Sequence, residues 1–91
     1  MREGTFVINH PVGLHARPAA KFTKLAKSFK ASIKIKNLTR NSDIIDAKSL
    51  VKLIKIAVAK DHEIQLWIEG EDENQAFDSL KTYIDHIKDE N

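Results

Sequence analysis

The sequence predicts an α+β fold: a four-stranded, mainly antiparallel sheet with three helices on one face. Three observations lead there. The candidate elements run strand, helix, strand, strand, helix, strand, helix. Each helical segment carries an apolar stripe at three- and four-residue spacing. The clearest strands alternate apolar and polar residues, so they need cover on one side only.

Thr5 to Asn9 reads as the first strand, and Asn9-His10-Pro11-Val12-Gly13 as a loop punctuated by Pro and Gly. A helix follows from about Ala16 to Phe29, with Ala19, Phe22, Ala26 and Phe29 on one stripe and Lys21, Lys24 and Lys27 off it. Pro18 falls in its first turn, where a missing N–H breaks no helical bond. Ser32 to Lys36 alternates as a half-buried strand. Asn37 to Ser42 is a polar turn region, and Asp43 to Asp46 a short return strand. Ser49 is a good N-cap for a second helix reaching about Ala59, with Leu50, Leu53, Ile54 and Ala57 on one face and Val51 and Ile56 off it. Glu63 to Glu69 is the clearest strand, ended by Gly70. Asp72 and Gln75 have capping-box spacing before a last helix striped by Ala76, Phe77, Leu80, Tyr83, Ile84 and Ile87. His86 and Lys88 lie near its end, where positive charge is favoured.

At 91 residues the chain fits one domain, spanning 1–91. It has no cysteine, which excludes disulfides, thiolate metal sites and a cysteine nucleophile. The longest apolar run is far short of the roughly 20 residues that span a bilayer, and the first residues lack a signal-peptide core. A cytoplasmic protein without membrane insertion is the expectation. The net charge of +2 does not argue for nucleic acid. Its distribution says more: Lys21, Lys24, Lys27, Lys30, Lys34 and Lys36 crowd a stretch without acids, which suits an acidic partner.

The chemistry concentrates in Gly13-Leu14-His15-Ala16-Arg17-Pro18-Ala19-Ala20. This places a histidine at, or just before, a helix N-terminus, where free N–H groups form an anion site. A phosphoryl group on the imidazole would lie over the N–H groups of Ala16 and Arg17. Arg17 adds a permanent cation able to grip two phosphate oxygens. Attack on phosphorus needs a neutral ring nitrogen with a free lone pair. His10, His62 and His86 have no metal-ligand spacing and read as structural or surface residues; no metal and no cofactor is expected.

The segment Gly13 to Ala19 resembles the active-site signature of the HPr family of phosphocarriers. Asp46-Ala47-Lys48-Ser49-Leu50 resembles that family's regulatory serine segment, and Gly70 to Ala76 its approach to the last helix. The pieces keep their order and approximate spacing over nearly the whole chain. The resemblance implies an open-faced β-sandwich of βαββαβα order. It implies that His15 is phosphorylated by phosphorylated enzyme I, ultimately from phosphoenolpyruvate, and passes the group to enzyme II A components in sugar uptake. The chain would then be a carrier, not a complete enzyme, and a monomer.

The same resemblance implies Ser49 phosphorylation by a serine kinase, reversed by a phosphatase, and contact with a transcriptional regulator. It also makes Leu50, Val51 and Ile54 an exposed docking patch, ringed by Lys24, Lys27 and Lys52. That conflicts with the helical stripe, which puts Leu50 and Ile54 in a core; Leu53 and Ala57 are core positions on both readings. Two other functions fit the residues less well. One is a regulatory binding module acting through Ser49 and the apolar patch. The other is a small RNA-binding domain, which lacks the expected pair of exposed aromatics on adjacent strands.

Overall fold

The structure, a computed structural model, describes residues 1–87 apart from the side chain of Ala16, so Lys88 lies outside the described residues. The elements are β1 (Arg2–Val7), α1 (Ala16–Lys27), β2 (Ser32–Asn37), β3 (Ile45–Asp46), α2 (Leu50–Lys55), β4 (Glu63–Glu69) and α3 (Glu73–His86). The strands form one sheet in the order β1-β4-β2-β3. All three pairings are antiparallel, so β1 and β2 run parallel with β4 inserted between them. The three helices cover one face, giving an open-faced sandwich.

Period-two alternation places Ile33 and Ile35 of β2, and Ile64, Leu66 and Ile68 of β4, on the helix side, all essentially buried. Ala19, Phe22 and Ala26 of α1, Leu53 of α2 and Ala76, Leu80 and Ile84 of α3 meet them there. Tyr83 joins two helices: its ring lies 6.4 Å from that of Phe22, and its hydroxyl donates to the Pro18 carbonyl at 3.3 Å. Of the strand aromatics, Phe6 turns inward against Phe77 at 5.9 Å, and half-buried Trp67 takes the opposite parity in β4. The helix-free face therefore has no aromatic pair on adjacent strands.

Several boundaries differ from the sequence expectation. The first strand starts three residues earlier, at Arg2, and Arg2 carries its guanidinium 4.1 Å over the Phe77 ring. Helix α1 stops at Lys27, not Phe29, because the Ser28 hydroxyl donates to the Leu25 carbonyl at 2.6 Å and the next donors are engaged elsewhere. Those donors, the N–H groups of Lys30 and Ala31, bond the two carboxylate oxygens of Asp72 at 2.8 Å each. Asp72 therefore does not cap its own helix, as the capping-box spacing suggested, but clasps α3 to the α1–β2 link. Glu73 reaches back instead, accepting from the Gly70 N–H at 3.2 Å.

Helix α2 ends at Lys55, four residues early, because Ala57 adopts a left-handed φ of 50° and turns the chain away. Ala57 is consequently exposed rather than in the core, and Ile56, assigned off the stripe, is buried. Among the described residues no helix is long and apolar enough to cross a membrane.

The Lys30 N–H bond, with that of Ala31, holds the Asp72 carboxyl below its ordinary pKa of 3.8 against an opposing desolvation. A lowered folded value means that the clasp contributes fully above the ordinary value and is lost as pH falls through the folded one. Asp72→Asn should lower the melting temperature at neutral pH. As pH falls below 3.8 and through the lowered folded value, the gap between variant and parent should narrow. Melting curves across that range check both.

Candidate functional site

The site is assembled by the β1–α1 loop. Buried His10 accepts the Val12 N–H on Nδ1 at 3.1 Å, and its carbonyl accepts the Gly13 N–H at 2.9 Å, closing a tight turn. Gly13 has φ +68°, and a Cβ there would lie 2.1 Å from the Val58 carbonyl oxygen. Leu14 is buried and donates its N–H to that same oxygen at 2.8 Å. The loop is thus pressed onto the turn after α2 and delivers His15 to the start of α1.

His15 is the N-cap residue, in extended conformation (φ −135°, ψ 156°), and its side chain makes no capping bond. It is exposed and borders a shallow cavity of about 170 Å³ with Val12, Leu14, Ala57, Val58 and Ala59. As the first two helical residues, Ala16 and Arg17 present N–H groups that no carbonyl four residues back can take. Pro18 follows without an N–H, so the anion site has two backbone donors there. No acid lies in the first turn of α1, and the exposed Arg17 side chain has no ion pair among the described residues. His15, Ala16 and Arg17 thus bring an exposed imidazole, two free helical N–H groups and an exposed guanidinium to one helix start.

Of the other sequence candidates, Ser49 caps α2, its Oγ accepting the Lys52 N–H at 3.3 Å. Leu50, Val51 and Ile54 are 36%, 65% and 37% exposed, which decides between the two sequence readings in favour of a surface patch. Leu53 alone of that helix is buried. Val12, on the His15 loop and beside the same cavity as His15, is a further exposed apolar residue.

Lys24 borders a separate cavity with Lys21, Leu25 and Ser28; Lys52 borders another, of about 270 Å³, with Arg40, Lys55 and Ile56. Lys27 is exposed and borders none of the three. The larger hollow at Lys52 holds neither a histidine nor a helix N-terminus, so size does not mark the chemistry here. Lys48, beside Ser49, is engaged inward, donating from Nζ to the Phe29 carbonyl at 2.8 Å.

Three supporting residues were legible only in part: His10 and His62 read as structural or surface residues with no stated partner, and Asn37 read as part of a polar turn, whereas it ends β2 and is buried. Each is held by hydrogen bonds to loops, which leave no periodic trace in sequence. No group of three or more metal-ligating side chains exists among the described residues.

A family model described as the PTS HPr component phosphorylation site matches residues 2–86. A multiphosphoryl transfer protein of Haemophilus influenzae is 44% identical over 77 residues, which are 85% of this chain and 15% of that protein. A second such protein, from Vibrio cholerae, is likewise matched over only 20% of its length. The phosphocarrier protein HPr of Lysinibacillus sphaericus is 31% identical over 84 residues, 92% of each chain. Among solved structures, HPr-C-His from Thermoanaerobacter tengcongensis superposes with a TM-score of 0.91 at 32% identity, covering 100% of this chain and 99% of that one.

The contact between Gly13 and Val58 gives a direct test. Gly13→Ala adds a methyl where no space exists and where φ is positive. It should destabilise the fold by roughly 1–3 kcal/mol in urea unfolding. Amide shifts should change first at Leu14, Val58 and Ala59.

Proposed function

The chain belongs to the HPr family of the phosphotransferase system, and on that premise we propose that it is a phosphocarrier that takes a phosphoryl group on His15 from phosphorylated enzyme I and delivers it to enzyme II A components. The single observation that carries this reading is the exposed, uncapped His15 standing as N-cap of α1 with Arg17 two residues on. The lone pair of a neutral ring nitrogen attacks phosphorus in line as the bond to the donor's own group breaks. The N–H groups of Ala16 and Arg17, with the Arg17 guanidinium, receive the oxygens. Transfer onward reverses the step on a second partner.

Magnitudes support a relay and not a self-sufficient catalyst. A helix terminus contributes about 0.3–1 kcal/mol, or ~2 kcal/mol when partly buried, which is at most roughly thirtyfold in rate. Phosphoryl transfer needs far more electrostatic stabilisation than that, so the partners supply the rest. A carrier that meets two partners in turn gains from a small apolar contact. Leu50, Val51 and Ile54 provide one, with Lys24, Lys27 and Lys52 steering acidic surfaces toward it. A monomer working in the cytoplasm fits this role.

Ser49 offers control over the same surface. Phosphate on its Oγ adds about −1.5 to −2 charge beside Leu50 and next to the docking patch. A serine kinase would thereby weaken docking to acidic partners and favour a different partner such as a transcriptional regulator, and a phosphatase would reverse the change.

Incubation with phosphoenolpyruvate and enzyme I should yield an acid-labile, base-stable phosphate that mass spectrometry places on His15. His15→Ala should abolish it while leaving the melting curve unchanged. Arg17→Ala should slow it by about tenfold or more. Stable label on any other residue of the His15→Ala variant would sink the reading. Separately, Ser49→Asp should raise the KM for the enzyme I reaction several-fold at unchanged melting temperature.

A further inference from the structure

The turn against which His15 is seated is itself held from behind by two polar side chains. Asn37, at the end of β2, is wholly buried. Its Nδ2 donates to the Ile56 carbonyl at 3.0 Å and approaches the Ala57 carbonyl at 3.4 Å. The same nitrogen lies 3.1 Å from Nδ1 of His62. His62 Nδ1 also accepts the Ala59 N–H at 3.0 Å. Two donors converge on that one nitrogen, so it is the unprotonated one and the ring proton sits on Nε2. The Asn37 Oδ1 accepts the Arg40 N–H at 3.3 Å, which engages both ends of the amide.

The residues so held are those that meet the His15 loop. Ala57 is kept in a left-handed conformation that an alanine does not favour. Val58 follows it and offers the carbonyl that receives the Leu14 N–H at 2.8 Å, one residue before His15. Ala57, Val58 and Ala59 form the wall of the cavity at His15. A small shift of this turn therefore reaches the N-cap through a single hydrogen bond.

Resting on the reading of His15 as the phosphoryl acceptor, we infer that Asn37 and His62 are positioning residues for that acceptor. They fix the Ile56–Ala59 turn, and the turn fixes the ring of His15 over the N-terminus of α1. They touch neither the ring nor the phosphoryl group.

Three variants test this: His62→Leu, which removes the acceptor; His62→Asn, whose Oδ1 takes the place of Nδ1; and Asn37→Asp, which removes the Nδ2 donors. In His62→Leu and Asn37→Asp, amide exchange at Leu14 should quicken about tenfold, while Leu66 in the central strand stays within about twofold. The maximal rate of His15 phosphorylation should fall about tenfold at unchanged KM for phosphorylated enzyme I. His62→Asn should return both quantities to within about threefold of the parent chain. The inference is overturned if Leu14 exchange keeps its parent rate in both disabling variants, if the loss appears in KM alone, or if His62→Asn behaves like His62→Leu. Should the parent chain take no phosphate at all, the carrier reading fails, and Leu14 exchange still decides whether these residues hold the N-cap.

Discussion

The Val58 carbonyl oxygen is the atom on which the arrangement turns. It accepts the Leu14 N–H at 2.8 Å, and the backbone of Gly13 passes so close that a side chain is excluded. That contact joins the β1–α1 loop to the α2–β4 turn, two segments more than 40 residues apart in the chain. The base of the loop is tied to the same turn by the Ile8 N–H to the His62 carbonyl at 2.9 Å and the Asp61 N–H to the Ile8 carbonyl at 2.8 Å, but the Leu14 bond is the one that reaches the residue next to His15. With it, the imidazole belongs to the start of a helix whose stripe is anchored in the core by Ala19, Phe22 and Ala26. His15 thus borrows rigidity from the sheet while staying exposed to solvent.

Helix α2 shows a second use of the same economy. It is only six residues long, with Leu53 alone buried. It would not persist as an isolated helix. The Ser49 cap at one end and the Ile56–Ala57 carbonyls held by Asn37 at the other keep it in place. This leaves Leu50, Val51 and Ile54 outward at little cost in core packing. An exposed apolar cluster on an anchored short helix is the kind of surface that proteins present for contact.

Much of this was legible in the sequence, and the reasons are physical. Strands β2 and β4 declared themselves through period-two alternation, and α1 and α3 through their stripes. The Gly13-Leu14-His15-Ala16-Arg17-Pro18 segment pointed to the anion site because Pro18 and the apolar steps fix where the helix begins. The less legible parts depend on distant partners. Asp72 was read as a local cap, but its carboxylate is claimed by Lys30 and Ala31, some 40 residues back. Ala57 was read as core because the apolar pattern continues past Lys55, yet one left-handed residue ends the helix and rotates it outward. Asn37 fell in a polar turn region and His62 among the structural or surface histidines, because the partners of a buried amide or imidazole leave no mark in sequence.

The strand order has a consequence for how the chain is made. Strand β1 pairs with β4 alone, and β2 is joined to β1 only through it. During synthesis the first strand therefore waits, without a sheet neighbour, until residues 63–69 have left the ribosome. The emerging β2–β3 hairpin and the nascent helices can gather earlier, but the sheet closes in one late event. The loop bearing His15 is drawn onto the α2–β4 turn at about the same time, so a partly synthesised chain does not yet hold His15 in its seat.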